Sequence, residues 1–184
     1  MLYIPITGFS IFHNSLKVSL ETEEKINSKK VLFAKKTESG LIWFEPNEAE
    51  DWYGTFLGEC ENCKPHGHGI FISSDGLKYV GEWYSARSGK GTFTWPSGNK
   101  YEGEWNHGKK HGQGIETFSN ESILQGNFKD GIIVGAVNIK WSNGDKYKGE
   151  YKNGKCHGKG TITLFEGDKY EGDWKQGYKE GNGI

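Results

Sequence analysis

The chain has 184 residues, a formal net charge of −1 and 28 glycines, about twice the roughly 7% expected, together with 7 Trp, 9 Tyr and 10 Phe. The near-neutral charge excludes a general attraction to nucleic acid or to an anionic membrane, and so many aromatic residues exclude a disordered chain. Three cysteines, no apolar run near the ~20 residues of a membrane span and no basic segment before the mildly apolar N-terminus indicate a reduced, cytoplasmic protein.

The first fifty residues contain short strand patterns and no visible repeat. Residues 31–34 and 41–44 are apolar runs of strand length, whereas residues 21–30 are charged and form either a short helix or a loop. Residues 39–44 are similar to the second strand of a degenerate repeat. Because a stacked array needs a cap at its terminal edge, we expect residues 1–50 to be a β-rich N-terminal cap.

After residue 50, a pattern of aromatic, variable, glycine, variable and aromatic residues recurs. It reads YVGEW from Tyr79 and returns as YEGEW, LQGNF, YKGEY and YEGDW at spacings of 22, 23, 23 and 23 residues. Such a constant period indicates a stacked repeat array, here over residues 51–184. With WYGTF at Trp52 as the first copy, the predicted units are 52–78, 79–100, 101–123, 124–146, 147–169 and a partial unit 170–184.

Each unit has the pattern of a β-hairpin. In unit 101–123 a first strand at 101–105 is followed by a turn at 106–111 and a second strand at 112–118. Strand alternation places the rings and the strand glycines on one face, where we expect the rings of one hairpin to cover the bare Cα atoms of the next hairpin's glycines. We therefore predict an all-β, elongated and twisted single-layer antiparallel array of hairpins. The residues that share the ring face are Tyr101, Gly103, Trp105, Gly112, Gly114 and Phe118.

The segments YEGEWNHGKKHGQG at 101–114 and YKGEYKNGKCHGKG at 147–160 resemble the MORN (membrane occupation and recognition nexus) repeat. The resemblance covers residues 52–184 and implies an elongated array of hairpins. It also implies a non-catalytic scaffold or adaptor that binds a peptide, helix or filament component of a protein partner, in a cytoskeletal or ciliary assembly.

The aromatic residues of the array are the predicted partner-binding positions, on the ring face or at its edge. An aromatic-lined groove suits a partner's peptide or helix because large rings bury much area. These residues are Trp83, Trp95, Tyr101, Trp105, Phe118, Phe128, Trp141, Tyr147, Tyr151, Tyr170 and Trp174.

Two alternatives stay open at this point. Lysines in the turns line one edge of the array and favour a phospholipid-binding tether, at about 1 kcal/mol for each lysine near an anionic surface. Matching numbers of acidic residues weaken that attraction, so any membrane association is weak. The other alternative is a targeting or regulatory module for an enzyme on another chain. The lysines of the lipid alternative are Lys109, Lys110, Lys152, Lys155 and Lys175.

Cys60, Cys63, His66 and His68 form the sequence's weak candidate for a metal site. Thiolate and imidazole are zinc ligands, but four ligands within nine residues make a very tight loop. With Gly54 as the glycine of the first unit, the turn of that unit carries a four-residue insertion. A redox-active dithiol is the other alternative for the two cysteines. We interpret the pair as part of that enlarged turn, and we expect no bound metal.

Motifs of catalysis are missing from the sequence. It has no G-x-S-x-G, Walker or H-E-x-x-H motif. The recurring acidic residues, such as Glu102 and Glu104, indicate a solvated face rather than a pair of catalytic carboxylates. We expect no enzymatic activity and no cofactor.

Unit 124–146 departs from the pattern. Leu124 replaces the first tyrosine, Val137 replaces the second glycine and the turn at 129–134 is apolar. Either these side chains pack locally, or they form an exposed contact for a partner or a second subunit.

Unit 170–184 ends where its second strand begins. We expect this truncation to leave Tyr170 and Trp174 uncovered, and the exposed edge to be completed by a partner strand or a homodimer, or else to fray.

Overall fold

The computed structural model describes residues 30–44 and 53–184. Within these ranges the chain forms fourteen strands and no helix, and the strands make one open antiparallel sheet in the order β14-β13-β12-β11-β10-β9-β8-β7-β6-β5-β4-β3-β1-β2. The predicted single sheet of hairpins is confirmed. The strands are β1 (Lys30–Thr37), β2 (Gly40–Phe44), β3 (Gly54–Glu61), β4 (Lys64–Ser73), β5 (Lys78–Tyr84), β6 (Ala86–Thr94), β7 (Lys100–Asn106), β8 (Lys109–Thr117), β9 (Ile123–Lys129), β10 (Ile132–Lys140), β11 (Lys146–Lys152), β12 (Lys155–Thr163), β13 (Lys169–Lys175) and β14 (Tyr178–Gly183).

The hairpin turns are shorter than predicted. In unit 101–123 the turn consists of His107 and Gly108, with φ of 46° and 79°. Two consecutive residues of positive φ give the turn whose twist matches that of antiparallel strands. The pairing then shifts by a β-bulge after Gly103, and Gly112 takes a φ of 56° there. The second strand therefore begins at Lys109, before the predicted start at Gly112.

A row of glycines crosses the sheet at right angles to the strands. From β3 to β14 each glycine faces a glycine on the next strand, and the row is interrupted at one position, Val137. The row leaves a shallow channel along the sheet, into which side chains from both sides can lie. Its members are Gly58, Gly69, Gly81, Gly91, Gly103, Gly114, Gly126, Val137, Gly149, Gly160, Gly172 and Gly183.

Aromatic rings fill this channel in two ways. The ring of Tyr101 lies over Gly103 and Gly114 of its own hairpin, and its hydroxyl donates to the carbonyl of Glu104 at 3.0 Å. Trp105 instead reaches back, and its indole N–H donates to the carbonyl of Gly91 in the preceding unit at 3.1 Å. The prediction that rings cover the next hairpin's glycines is therefore wrong for the tyrosines, and the tryptophans cover the previous hairpin.

These contacts bury the first tyrosine of each regular unit completely. Tyr79 and Tyr101 are 0% exposed and Tyr147 is 1% exposed. Burial, which disfavours the charged phenolate, raises the pKa of Tyr101 to about 12 and raises the pKa of Tyr79 and Tyr147 as well. The phenols stay neutral and act as hydrogen-bond donors within the core.

The first unit has the same length as the others, so the predicted four-residue insertion is wrong. Gly58, and not Gly54, pairs with Gly69 in the glycine row, and Phe56 lies over both as Tyr101 does in its unit. The motif is therefore FLGEC from Phe56, with Cys60 in the place of the tryptophan. Trp52, the predicted start of the unit, lies outside the described residues.

The described part of the N-terminal segment is a β-hairpin. The predicted strands at 31–34 and 41–44 are present as β1 and β2. However, β1 pairs with β3 and β2 lies at the outside, so residues 39–44 are not the strand next to the array. Residues 1–29 and 45–52, including most of the charged segment 21–30, lie outside the described residues.

This hairpin covers the start of the ring face. Trp43 on β2 lies 5.7 Å from Phe71 and 6.0 Å from Trp83, measured between ring centroids. In a flat sheet, β2 and β5 would be about 19 Å apart at the usual strand spacing. The sheet is therefore strongly coiled here, and it folds the hairpin over its own face.

In the described ranges no helix has the length and apolar character to cross a bilayer.

Candidate partner-binding groove

A chain of ring contacts runs along the sheet and stops at unit 124–146. The first tyrosine of a regular unit meets the second aromatic residue of the next unit, as Tyr101 meets Phe128 at 5.1 Å and Tyr147 meets Trp174 at 5.3 Å. Leu124 has no ring with which to meet Tyr151. The buried residues accordingly fall into two clusters, one ending at Phe128 and the other beginning at Leu124.

The substitutions in the irregular unit compensate each other locally. Val137, 2% exposed, fills the channel where a tyrosine ring lies in regular units, because Leu124 leaves that space empty. Ile133 packs against both buried clusters. The interpretation of this unit as locally packed is therefore correct for these three residues. It does not hold for Ile132 and Val134, which are 68% and 37% exposed.

A backbone link is also missing at this point. In neighbouring units the second turn residue donates to a carbonyl one unit earlier, as Gly131 does to Lys110 and Gly177 does to Cys156, both at 2.9 Å. The corresponding bond from Gly154 to Ile133 is not formed between these two described residues. The hairpins on either side are therefore less tightly joined here.

The sheet opens at this break into a groove of 660 Å³ on the ring face, which we name the central groove. Its most buried lining residues are Leu124, Ile139, Cys156 and the polar Ser122, each under 10% exposed. Phe118, 38% exposed, lies at its edge. An apolar floor with a polar margin is typical of a ligand-binding cleft. The remaining lining residues include Trp141, Tyr151, Asn99, Ser119 and Asn120.

A row of large apolar residues leads to this groove along one edge of the array. Trp95, Phe118, Trp141 and Leu164 recur every 23 residues, each at the start of a turn between units. Each donates its backbone N–H across that turn, as Trp141 does to Asp145 at 2.9 Å. Their side chains are half-buried or partly exposed. Leu164 was not among the predicted positions, although the period alone could have identified it.

The predicted partner-binding rings divide by burial. Six of them are in the core, covered by neighbouring rings and strands, so the ring face as a whole is not a surface for a partner; four are half-buried, and Phe118 is exposed. The central groove brings together Phe118, Trp141 and Tyr151 from the predicted set. The buried rings are those of Trp83, Tyr101, Trp105, Phe128, Tyr147 and Trp174, and the half-buried ones are those of Trp95, Trp141, Tyr151 and Tyr170.

Cations on the ring face were missed by the sequence analysis. The guanidinium of Arg87 lies 4.7 Å from the Phe93 ring centroid, and the ammonium of Lys110 lies 5.0 Å from that of Trp95. Burial, which disfavours a charge, lowers the pKa of Lys110 and of Arg87. Attraction to the rings offsets part of this cost. The positions recur with the 23-residue period, as does that of Lys179, and this was the available signal.

Not all of the predicted lipid-binding lysines lie free along an edge. Lys110 points onto the ring face, is 18% exposed in its side chain and pairs with Glu116. Lys175 pairs with Glu180 at 3.1 Å. Lys109, Lys152 and Lys155 are exposed. The inclusion of Lys110 in this set was wrong, because its side chain is covered by aromatic rings.

The candidate metal residues do not converge. His66 lies 3.3 Å from Glu61 and His68 lies 3.9 Å from Glu59, so the two imidazoles face different carboxylates. Within the described ranges, no group of three or more His, Cys, Asp or Glu residues could hold a metal ion. Cys63 instead occupies the second position of the hairpin turn, with a φ of 56°.

The two rings of the last unit, which were predicted to be uncovered, are covered at least in part. Trp174 is 6% exposed and donates to the carbonyl of Gly160 at 3.0 Å. Tyr170 is half-buried over Gly172 and Gly183, because β14 continues to Gly183. The expectation that both rings lack cover was therefore wrong for Trp174. The completion of this hairpin by another chain stays a prediction.

The family model for the MORN repeat matches residues 64–78, 79–100, 101–123, 147–169 and 170–184, which together make up more than half of the chain. The chain belongs to the MORN repeat family. The irregular MORN unit, 124–146, is not among the matched segments, in agreement with its altered packing. No curated protein matches the chain.

Among solved structures, this MORN protein is similar to the TCP domain of SAS-4 (dCPAP) of Drosophila melanogaster, solved in complex with a proline-rich motif of Ana2 (dSTIL). The two share 15% identity over 78% of this chain and 79% of that one, with a TM-score of 0.45. A likeness of this extent carries no argument about what the present chain binds.

Proposed function

We propose that this MORN protein is a non-catalytic scaffold or adaptor that holds an apolar segment of a protein partner in the central groove. The observation that carries the proposal is the break in the ring chain between Leu124 and Tyr151, which leaves an apolar cleft on the ring face. A cytoplasmic location is part of the proposal and rests on the composition of the chain, whereas its place in a cytoskeletal or ciliary assembly rests on the family resemblance.

The composition of the groove favours a peptide with large apolar side chains. Its floor is formed by aliphatic and aromatic groups, which gain free energy when a partner removes them from water. Its margin carries Asn99 and Asn120, whose amides can pair with a peptide backbone. A partner that is an enzyme on another chain is included in this proposal.

A lipid tether is less well supported by the structure. Of the five lysines on which it depends, Lys110 is covered by rings and Lys175 is paired with a carboxylate. Three exposed lysines on a chain of net charge −1 leave only a weak attraction to an anionic surface.

The first experiment selects peptides from a random display library on the immobilised chain and measures their affinity by fluorescence anisotropy. Phe118→Gln should weaken the selected peptides about tenfold, because it removes an apolar edge of the groove. Phe165→Gln is the matched control, since Phe165 is 77% exposed and does not line the groove. If both variants keep the wild-type affinity, or both lose affinity to the same extent, the peptides bind elsewhere.

A second variant closes the groove by restoring the regular repeat. Leu124→Tyr, Ile133→Lys and Val137→Gly together give unit 124–146 the residues of unit 101–123 at these positions. The new ring should meet Tyr151, fill the break and abolish peptide binding without lowering the melting temperature. Retained binding in a folded variant would contradict the proposal.

A further inference from the structure

Three lysines lie together on the face of the sheet opposite the central groove. Lys140 on β10 stands directly across from Lys146 on β11, and Lys148 follows two residues later on the same face. All three side chains are exposed, and no carboxylate of the described residues lies within ion-pair distance of them. We name these residues the basic patch.

Two of the other units carry an ion pair at this place. Lys100 lies 2.7 Å from Glu102, and Lys169 lies 2.8 Å from Glu171, each pair two residues apart on its strand. In unit 147–169 the acidic member is replaced by Lys148, and Lys140 adds a third positive charge on the neighbouring strand. Like charges that face each other across two strands destabilise a sheet. A cluster of like charges that destabilises the sheet locally is typical of a functional position.

The basic patch is also concave. A pocket of 540 Å³ is lined on this face by the three lysines together with the polar residues Gln125, Asn138, Thr161 and Thr163 and the apolar Ile123. Ammonium, amide and hydroxyl groups can all donate hydrogen bonds. The arrangement collects donors around a positive charge, which is the complement of an anion that carries several oxygen atoms.

We propose that the basic patch binds an acidic polypeptide segment, with two or three of its carboxylates on the lysines. Neighbouring lysines lie about 5 Å apart across the strands and about 7 Å apart along β11, spacings that an extended chain with a rise of about 3.3 Å per residue can match. This site goes beyond the proposed function, because it lies on the other face and takes a ligand of opposite character.

The surroundings favour a short segment over a broad anionic surface. Glu102 and Glu171 lie in the same cross-strand row as Lys148, on either side of the basic patch. A planar anionic membrane would meet these carboxylates along with the lysines, whereas a narrow acidic segment can reach the lysines alone. Charge complementarity is therefore confined to a strip about three strands wide.

Binding of fluorescein-labelled hexaglutamate tests this proposal, with hexaglutamine as the uncharged competitor. Lys148→Glu should lower the affinity at least about tenfold, as expected for reversal of a contacting charge. Since this change recreates the lysine–glutamate pair found at Lys100 and at Lys169, the melting temperature should not fall, which separates lost binding from lost folding. Lys152→Glu makes the same change of charge on the same face of the same strand and should alter affinity less than about twofold.

The outcomes are distinct. No binding of hexaglutamate by the wild-type chain in low salt, or an equal loss in the two variants, would overturn the proposal. Sedimentation with phosphatidylserine vesicles provides the other arm. Vesicle binding that depends on Lys148, in the absence of hexaglutamate binding, would assign the basic patch to a membrane and would likewise overturn it.

Discussion

At the scale of single residues, Gly103 and Gly154 show that glycine serves two purposes in this chain. A Cβ on Gly103 would lie 2.6 Å from the carbonyl oxygen of Gln113 and 2.6 Å from the Cα of Gly114, both of them backbone atoms. A Cβ on Gly154 would meet nothing within 4 Å, but its φ of 77° disfavours other residues. The first glycine provides space for close packing, and the second provides a backbone conformation.

This difference predicts unequal costs of substitution. Gly103→Ala should lower the free energy of unfolding by about 3 kcal/mol, because strands and the Tyr101 ring must separate. Gly154→Ala should cost about 1 kcal/mol, the penalty for a left-handed backbone. Denaturant titrations of both variants measure the two values. Equal costs would mean that the glycine row is not close-packed in solution.

The buried phenols predict a loss of stability at alkaline pH. Burial raises the pKa of Tyr101 to about 12 from an ordinary value of about 10, so the folded chain binds more protons than the unfolded chain between these values. The stabilisation is complete below pH ~10 and is lost as the pH rises toward ~12.

Denaturant titrations between pH 9 and 12 measure this loss. Tyr101→Phe should lower the free energy of unfolding at neutral pH, because it removes the bond to Glu104, and should make the alkaline fall shallower. Tyr84→Phe is the control, since that ring is 70% exposed. An unchanged fall in Tyr101→Phe would refute the assignment.

At the scale of the hairpin, one acidic residue organises the bulge. The carboxylate of Glu104 accepts the backbone N–H of Gln113 at 3.2 Å, just after Gly112. Glu82 and Glu150 do the same for Lys90 and Lys159, at 3.2 Å and 3.1 Å. The recurring acidic residue after the glycine therefore supports the β-bulge in each of these hairpins, in addition to facing solvent.

Removal of this acceptor should be measurable. Glu104→Ala should lower the free energy of unfolding by about 1 kcal/mol, and Glu104→Gln by less, because an amide oxygen can still accept the N–H. Glu102→Ala, which removes only the exposed ion pair with Lys100, should stay within about 0.5 kcal/mol. Thermal and denaturant melts provide the comparison, and equal effects at 102 and 104 would argue against a role in the bulge.

The period of the sequence predicted the sheet and its hairpins, but it did not determine the register of the first unit. WYGTF at Trp52 and FLGEC at Phe56 both fit an aromatic-x-Gly pattern, and the first has the better second aromatic residue. The distance from each glycine to the turn determines the register. With a two-residue turn, the paired glycines lie at the same distances from the turn in every unit. The enlarged turn was inferred because the chosen motif, at Trp52, begins before the motif that the turn actually follows, at Phe56.

The central groove could be predicted only in part, for a similar reason. The irregularity of unit 124–146 is visible in Leu124 and Val137, whose opposite changes in size suggest compensation. How far the neighbouring rings cover a break depends on side-chain packing in three dimensions. The buried rings of the predicted set are covered because they lie in the channel along the glycine row. That row is visible only once the strands are paired, so the sequence did not predict their burial.

At the scale of the whole molecule, the array is close to one-dimensional, because each hairpin contacts mainly its neighbours. Among the described residues, ten buried side chains form the cluster before the break and six form the cluster after it. The first cluster is also covered by Trp43 on the N-terminal hairpin. The missing bond from Gly154 to Ile133 weakens the junction between the two clusters.

Unequal clusters with a weak junction predict sub-global opening. Amide hydrogen exchange under native conditions should show a lower opening free energy for β11 to β14 than for β3 to β8, by at least about 1 kcal/mol. The combined variant Leu124→Tyr, Ile133→Lys and Val137→Gly should reduce this difference, because a continuous ring chain couples the two halves. Gly154→Ala, which leaves the ring chain unchanged, serves as the control and should preserve the difference. A single opening free energy across all strands of the wild-type chain would show that the break does not divide the fold, and that the central groove is formed without loss of cooperativity.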